Sequence, residues 1–322
     1  MKMFKFYLLL LMLLGAGSTF AQASYPNKSI SLIVPFAPGG NTDLLARVIA
    51  QRLSESFGQP VVIENKPGAG GTIGLGIVAK SKPDGYTLGL GSFGNVLVAN
   101  SLYKNLSYEP AKNLSPVILL STPPTVLVAP SKLGITDVTS LIQYAKSNPG
   151  AIHYGSSGNG TSNHLFGELF ASQANIKMIH VPYKGSSPAI NDLLAGITQL
   201  NFAPFPLVLQ HIKSGALTAI AVTGEKRSNL LPHIPTVNES GLKGYFANGW
   251  FAVVVPNATP RNITVKLNYE INQILLLQEV KKNLEGEGAD PIGGSIEDAT
   301  KSIDQGIRKW NSLVNRLDLK ID

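Results

Sequence analysis

The residues of this chain whose types and spacing could do chemistry sit in glycine-rich turns. The first runs Phe36-Ala37-Pro38-Gly39-Gly40-Asn41-Thr42-Asp43, between an apolar run and a helical pattern. Gly39 and Gly40 permit positive φ and a close backbone approach. Asn41 or Thr42 caps the helix, and Asp43 falls in its first turn. Free N–H groups at such a helix end, with the helix dipole behind them, receive an anion. The turn has no lysine, and Asp43 already answers part of the positive end. A carboxylate or a water therefore suits it better than a doubly charged phosphate. A bare strand-to-helix turn with a good cap has the same pattern and stands as the alternative.

The second turn, Ser156-Ser157-Gly158-Asn159-Gly160-Thr161-Ser162, precedes an amphipathic helix that contains His164. Its hydroxyls (Ser156, Ser157, Thr161, Ser162) are dense just after a strand, and ligands of open α/β sheets sit at the carboxyl ends of strands. Asn163 or Ser162 caps the helix, and His164 reads as a structural hydrogen-bonder. The third turn, Gly89-Leu90-Gly91-Ser92-Phe93-Gly94, matches G-x-G-x-x-G. It is not in the first βα turn, and the next acid, Glu109, lies 15 residues beyond Gly94 in a loop-like stretch, so no dinucleotide cofactor is expected.

Catalysis finds little support. Ser157 has Gly155 before it but Asn159 after it, so there is no G-x-S-x-G elbow, and there is no cysteine nucleophile. The five histidines lack metal-ligand spacing. The expectation is a non-enzyme with no cofactor and no metal; a secreted hydrolase is a distant third reading.

These turns need elements to hold them. Strand patterns at 30–36, 61–65 and 86–92 alternate with helical patterns at 42–58 and 71–81. A second set follows: strands at 125–130, 152–157, 177–183, 199–205 and 217–224, with helices at 137–150, 162–174, 187–197 and 207–216. A long strand at 249–256 and helical segments near 260–285 and 295–316 close the chain. The alternation implies parallel strands with right-handed crossovers. Two such sets joined by long apolar strands imply two α/β domains.

The chain opens with Lys2 and Lys5, an apolar run too short to span a bilayer, and small residues to Ala23. That is the pattern of a secretory signal peptide, 1–23, cleaved after Ala23. No cysteine follows, which excludes both disulfides and a lipid anchor. Removing Lys2 and Lys5 lowers the net charge from +7 to +5, and the basic residues are scattered, which argues against nucleic acid.

Several long segments resemble, in order, the solute-binding proteins of tripartite tricarboxylate transporters, the Bug family. They include "ISLIVPFAPGGNTDLLARVIAQRLSESFGQPVVIENKPGAGGTIG", "NPGAIHYGSSGNGTSNHLFGELF", "HVPYKGSSPAINDLLAG" and "LTAIAVTGEKRSNLLPHIPTVNESGLKGY". The resemblance covers essentially all of the mature chain. It implies a type II periplasmic-binding-protein fold with a ligand cleft between two α/β domains, 24–125 plus 248–322 and 126–247, and a hinge near Val126 and Ala247. It implies a periplasmic protein of a Gram-negative bacterium, a monomer, holding a small organic carboxylate. The partners it implies are the membrane subunits of a tripartite tricarboxylate transporter; presentation to a membrane sensor is the alternative. Carried over residue by residue, ligand contacts fall on Phe36 to Asp43, Ser92, Phe93, Ser156 to Ser162, His164, Lys184 and Gly185. Many family members have an aspartate where this chain has Ala203. Its loss implies a ligand without an amine and with a more apolar body.

Overall fold

A computed structural model of the chain describes residues 25–286 and 289–320. The signal-peptide reading lies outside the described residues. Two sheets organise the fold. The first contains β1 (Ile30–Val34), β2 (Val61–Asn65), β3 (Thr87–Ser92), β4 (Leu114–Thr122), β10 (Phe251–Pro256) and β11 (Asp290–Gly293), in the order β11-β4-β10-β3-β1-β2. The second contains β5 (Thr125–Pro130), β6 (His153–Ser156), β7 (Ile179–Pro182), β8 (Leu200–Pro204) and β9 (Leu217–Val222), in the order β7-β6-β8-β5-β9.

The expectation of parallel strands throughout is corrected: both sheets are mixed. β1 pairs in parallel with β2 and β3, and β6 with β7 and β8. β10 is antiparallel to β3 and β4, and β5 to β8 and β9. β11, at the sheet edge, is antiparallel to β4, while the reversed strands β5 and β10 enter from the other sheet. Such a strand escapes the crossover rule that makes consecutive βαβ strands parallel. The outward passage is Pro123-Pro124, between β4 and β5. Proline cannot donate to a ladder, so pairing stops there. Val126 is already paired with Ala203 and Val222. On the return, the Ala247 N–H still bonds the Thr223 carbonyl at 2.9 Å, and the passage lies at 248–250.

Helices α1 (Asn41–Phe57), α2 (Thr72–Ala79), α6 (Ser162–Ala174) and α7 (Ser186–Ala195) start at or just after the expected turns. Between them in chain order lie α3 (Ala99–Leu102), α4 (Pro110–Asn113) and α5 (Val138–Ser147). α8 (Phe205–Lys213) begins two residues before its expected start, with proline in its first turn, where the missing N–H costs nothing. The segment expected near 260–285 is two helices, α9 (Arg261–Leu276) and α10 (Gln278–Gly286), because Leu277 turns extended at φ −61°, ψ 131°. The last, α11 (Ile296–Arg316), carries a capping box of Ser295 and Asp298.

One hydrophobic cluster fills the face of the first sheet under α1 and α9, with Leu32, Leu53, Val253 and Leu267. Another lies under α7 and α8, with Val126, Leu193, Phe205 and Val208. The largest cluster runs from the first sheet into the second, through Phe93, Phe166 and Trp310. Close packing across that junction, and the two short passages, hold the two sheets' loop ends face to face. No helix among the described residues is long and apolar enough to cross a membrane.

Candidate functional site

Three helix N-termini converge on one cleft between the sheets. Asn41 and Thr42 open α1, Ser162 and Asn163 open α6, and Ser186 opens α7; all five line the cleft. The first N–H groups of a helix have no intrahelical partner and sit at the positive end of its dipole. Ser92, Thr125, Ser157 and Thr161 add hydroxyls, while Phe36, Phe93, Trp250 and Phe251 make an aromatic wall with Pro123 and Pro204. The cavity is small, about 40 Å³. Among the described residues no acidic, basic or histidine side chain lines it. The arrangement can receive an anion through neutral donors and an apolar body against the rings. It offers no carboxylate to pair with an ammonium group.

The expected caps are corrected. The N-cap of α1 is Gly40, with no side-chain bond, so Asn41 and Thr42 are the first helical residues and face the cleft. Their side chains make no hydrogen bond to the described residues, nor do the hydroxyls of Ser92 and Ser162. Asp43 is turned away from the cleft and is almost wholly buried. Its carboxylate accepts from the Gly39 N–H at 3.0 Å, from Arg47 Nε at 2.9 Å and from Asn65 Nδ2 at 2.9 Å. Asn65 also donates to the Phe36 carbonyl at 3.0 Å. Burial works to raise the Asp43 carboxyl. The bonds from Gly39, Asn65 and Arg47, with the Arg47 charge, outweigh it and hold the group below the usual carboxylate range. Asp43 thus pins the first turn from behind.

On the second sheet the N-cap of α6 is Thr161, whose hydroxyl donates back to the Gly158 carbonyl at 2.7 Å. Asn163 is not a cap: it holds Ser157, whose hydroxyl donates to Asn163 Oδ1 at 3.1 Å, and its amide bonds the Phe202 carbonyl. Beneath the loop, Ser156 Oγ lies 2.6 Å from His180 Nε2, and the Gly160 N–H donates to His164 Nδ1 at 3.1 Å. The two imidazoles stack with centroids 4.0 Å apart. Burial lowers His164 to about 4; burial, and then the neighbouring His164, lower His180 to about 3. Both rings are neutral near pH 7, and that neutrality leaves His164 Nδ1 free to accept.

The expected residues divide by position. Phe36, Gly40, Asn41, Thr42, Ser92, Phe93, Ser157, Thr161 and Ser162 line the cleft. Ala37, Gly39, Gly158, Asn159, Gly160, Lys184 and Gly185 form the seam beside it. There the Ala37 N–H bonds the Lys184 carbonyl at 3.3 Å, and Gly39 faces Ser187. Pro38 is exposed on the turn. Asp43, Ser156 and His164 lie behind the lining. Ala203 does not reach the cleft: strand alternation turns it into the core with Val126 and Phe205, and its neighbour Pro204 faces the cleft instead.

Pro123, Thr125, Ser186, Pro204, Gly249, Trp250 and Phe251 line the cleft unanticipated. Trp250 and Phe251 arrive through pairing of distant strands: Phe251 is opposite Ser92, and the Phe93 N–H donates to the Trp250 carbonyl at 3.2 Å. Ser186 follows "YKG" as the first residue of an amphipathic helix, the one signal that could have found it. Ser92 and Phe93 are steered by a π-helical turn, Gly94–Val98. Asn95 in this turn accepts from the Ser92 N–H at 2.8 Å. Such turns recur at functional sites.

The family model described as "Tripartite tricarboxylate transporter family receptor" matches residues 45–319. Protein BugT of Bordetella pertussis is 38% identical over 308 residues, covering 95% of this chain and 94% of that protein. Among solved structures, R. palustris Rpa4515 with adipate is 36% identical, with a TM-score of 0.87 over 92% of this chain and 100% of that one. MatC from Rhodopseudomonas palustris, with bound malate, is 29% identical, with a TM-score of 0.86 over 90% and 100%. The matched length, the mixed two-sheet fold and the cleft between the sheets agree: this chain belongs to the tripartite tricarboxylate transporter receptor family.

Proposed function

We propose that this chain is a periplasmic receptor that captures a small carboxylate by closure of two domains and delivers it to the membrane subunits of a tripartite tricarboxylate transporter. The observation that carries this reading is the convergence of the N-termini of α1, α6 and α7 on a cleft without charged side chains. A carboxylate there gains oriented N–H and hydroxyl donors from both sheets. A ligand that touches both halves only in the closed form shifts the population toward closure. Neutral donors also suit a receptor that must release its cargo, since no buried ion pair has to be broken.

In this reading the domains are 24–122 plus 251–322 and 125–247, the hinge is the pair of passages at Pro123-Pro124 and Asn248 to Trp250, and the protein acts as a monomer. The ligand is held by Asn41, Thr42, Ser92 and Ser162, with its body against Phe36, Phe93 and Trp250. The absence of an acidic side chain in the lining favours carboxylates without an amine. The adipate and malate bound by two relatives are consistent with that class. Receptor function, with no catalytic step, accords with the family.

The test is a thermal-shift screen of simple carboxylates, dicarboxylates and amino acids, because a ligand that binds only the native state stabilises it by mass action. The expected result is a concentration-dependent rise with one or more amine-free carboxylates. A larger rise with aspartate or glutamate than with any amine-free acid counts against the neutral-cleft reading, and no rise with any of them counts against the carboxylate reading.

A further inference from the structure

The seam between the sheets is main chain against main chain at two glycines. A Cβ on Gly94 would lie 2.2 Å from the Gly160 carbonyl oxygen and 2.9 Å from Thr161 Cα. A Cβ on Gly70 would lie 2.0 Å from the Asn159 carbonyl oxygen and 3.0 Å from the Tyr103 hydroxyl. Backbone atoms cannot retreat as a flexible side chain would, so neither position admits a side chain while the seam is shut. Two hydrogen bonds cross the same seam: Tyr103 Oη to the Asn159 carbonyl at 2.9 Å, and the Ala37 N–H to the Lys184 carbonyl at 3.3 Å.

The two glycines differ in what requires them. Gly70 has φ 61°, a left-handed conformation that favours glycine whatever lies nearby. Gly94 is in the π-helical turn and is not among the positive-φ residues, so its own backbone accepts alanine. All three heavy atoms nearest its would-be Cβ belong to Gly160 and Thr161, on the opposite sheet's loop. That loop continues into Thr161 and Ser162, which line the cleft.

We infer that Gly94 is a positioning residue of the binding site. Its missing side chain lets the loop Gly158–Thr161 descend until Thr161 and Ser162 face the N-terminus of α1, and Tyr103 then fastens the loop by its Asn159 carbonyl. Gly94 touches no ligand; it sets how far the two halves close. The inference rests on the reading of the chain as a receptor that closes on its ligand.

The test is Gly94→Ala in the full-length mature protein. The sequence has no cysteine, so Ile77→Cys on α2 and Asn191→Cys on α7, both exposed, give unique spin-label sites on the two halves. Distance distributions are recorded without additive and with saturating adipate or malate. In the native background a population at the separation seen in this structure is expected, and Gly94→Ala is expected to lose it. The variant should unfold at the native temperature or above, because its open form meets no clash. Tyr103→Phe, which removes the fastening bond without filling space, is expected to reduce the closed population less. Where a probe binds, its affinity for Gly94→Ala should fall at least roughly tenfold, the closed fraction being what binds tightly.

If Gly94→Ala keeps the native closed population, the inference is overturned while the receptor reading stands. If the native protein shows no closed population under any condition, closure itself is overturned, and the inference with it. A drop in unfolding temperature with unchanged distances also overturns it, since Gly94 would then serve the fold alone.

Discussion

The rings of Phe93 and Trp310 meet at 88° with centroids 4.6 Å apart, and Phe93 is at once a wall of the cleft and part of the core. Phe166, from the other sheet, touches both rings, at 5.7 Å from Phe93 and 5.8 Å from Trp310. The last helix therefore supports a cleft-facing side chain of its own sheet and, through Phe166, reaches the other sheet.

Trp310→Ala should remove that support. Truncation of a buried aromatic costs about 3–5 kcal/mol, and edge-to-face pairs add to the loss. Urea unfolding should show an unfolding free energy lowered by about that amount, with Phe93→Leu destabilising less because volume is largely kept. A Trp310→Ala protein as stable as the native one would mean that α11 does not bind the two halves together.

Asp43→Ala should destabilise the first turn without emptying the cleft of donors. It removes the acceptor of the Gly39 N–H and of one Asn65 amide hydrogen, part-buried bonds worth about 1 kcal/mol each. The pH sign follows from the lowered carboxyl. Its stabilisation is present above the unfolded carboxylate pKa and is lost as pH falls through the lower folded value. Native and variant unfolding temperatures should converge under acid. A constant difference down to pH 2 would contradict the assignment.

The stacked histidines give a second acid dependence, with a different window. His164 and His180 are lowered from 6.5 to about 4 and about 3. Below pH 6.5 the unfolded chain binds protons that the folded chain refuses, so stability falls as pH drops from about 6.5 toward 4. Protonation of His164 Nδ1 would also expel the Gly160 N–H, loosening the loop that carries Thr161. Titration of the ring carbons by NMR should find both pKa values well below 6. A value near 6.5 for either ring would refute the buried neutral pair.

Thr42→Val and Ser162→Ala should weaken carboxylate binding while leaving stability within about 0.5 kcal/mol. Neither hydroxyl bonds another described group, so its removal leaves no protein partner unsatisfied. The loss of one donor to a charged carboxylate is worth about 1.5–3 kcal/mol, or roughly tenfold or more in affinity. Calorimetry with whichever carboxylate gives the largest thermal shift checks this; unchanged affinity in both variants would move the site elsewhere.

Much of this was legible from residue order. The 3.6-residue period and Gly58 defined α1, whose Leu45, Ile49 and Leu53 are buried. The hydroxyl-rich turn before α6 signalled donors at a strand's carboxyl end. The limits are equally specific. Asp43 is next to cleft residues in the chain, yet the helical rotation and the pull of Arg47 and Asn65 turn it inward. Ala203 reads as a cleft position only until its strand phase is known, because a shift of one residue reverses the face. The strands Leu114–Thr122 and Asp290–Gly293 were not read. The second is only four residues long and exists through its pairing with the first.

The order of residues by itself determined the class of fold, the family and the chemistry of the turns: glycines that permit helix starts, hydroxyls that donate, and no cation among them. Those are local properties of a dozen residues, written in neighbouring positions. Only the tertiary structure decided which of them face one another. The pairing of Phe251 with Ser92 brings Trp250 to the cleft, and the Gly94 backbone rests on that of Gly160. Both contacts join positions far apart in the chain, and no periodicity along it can encode a distance across a fold.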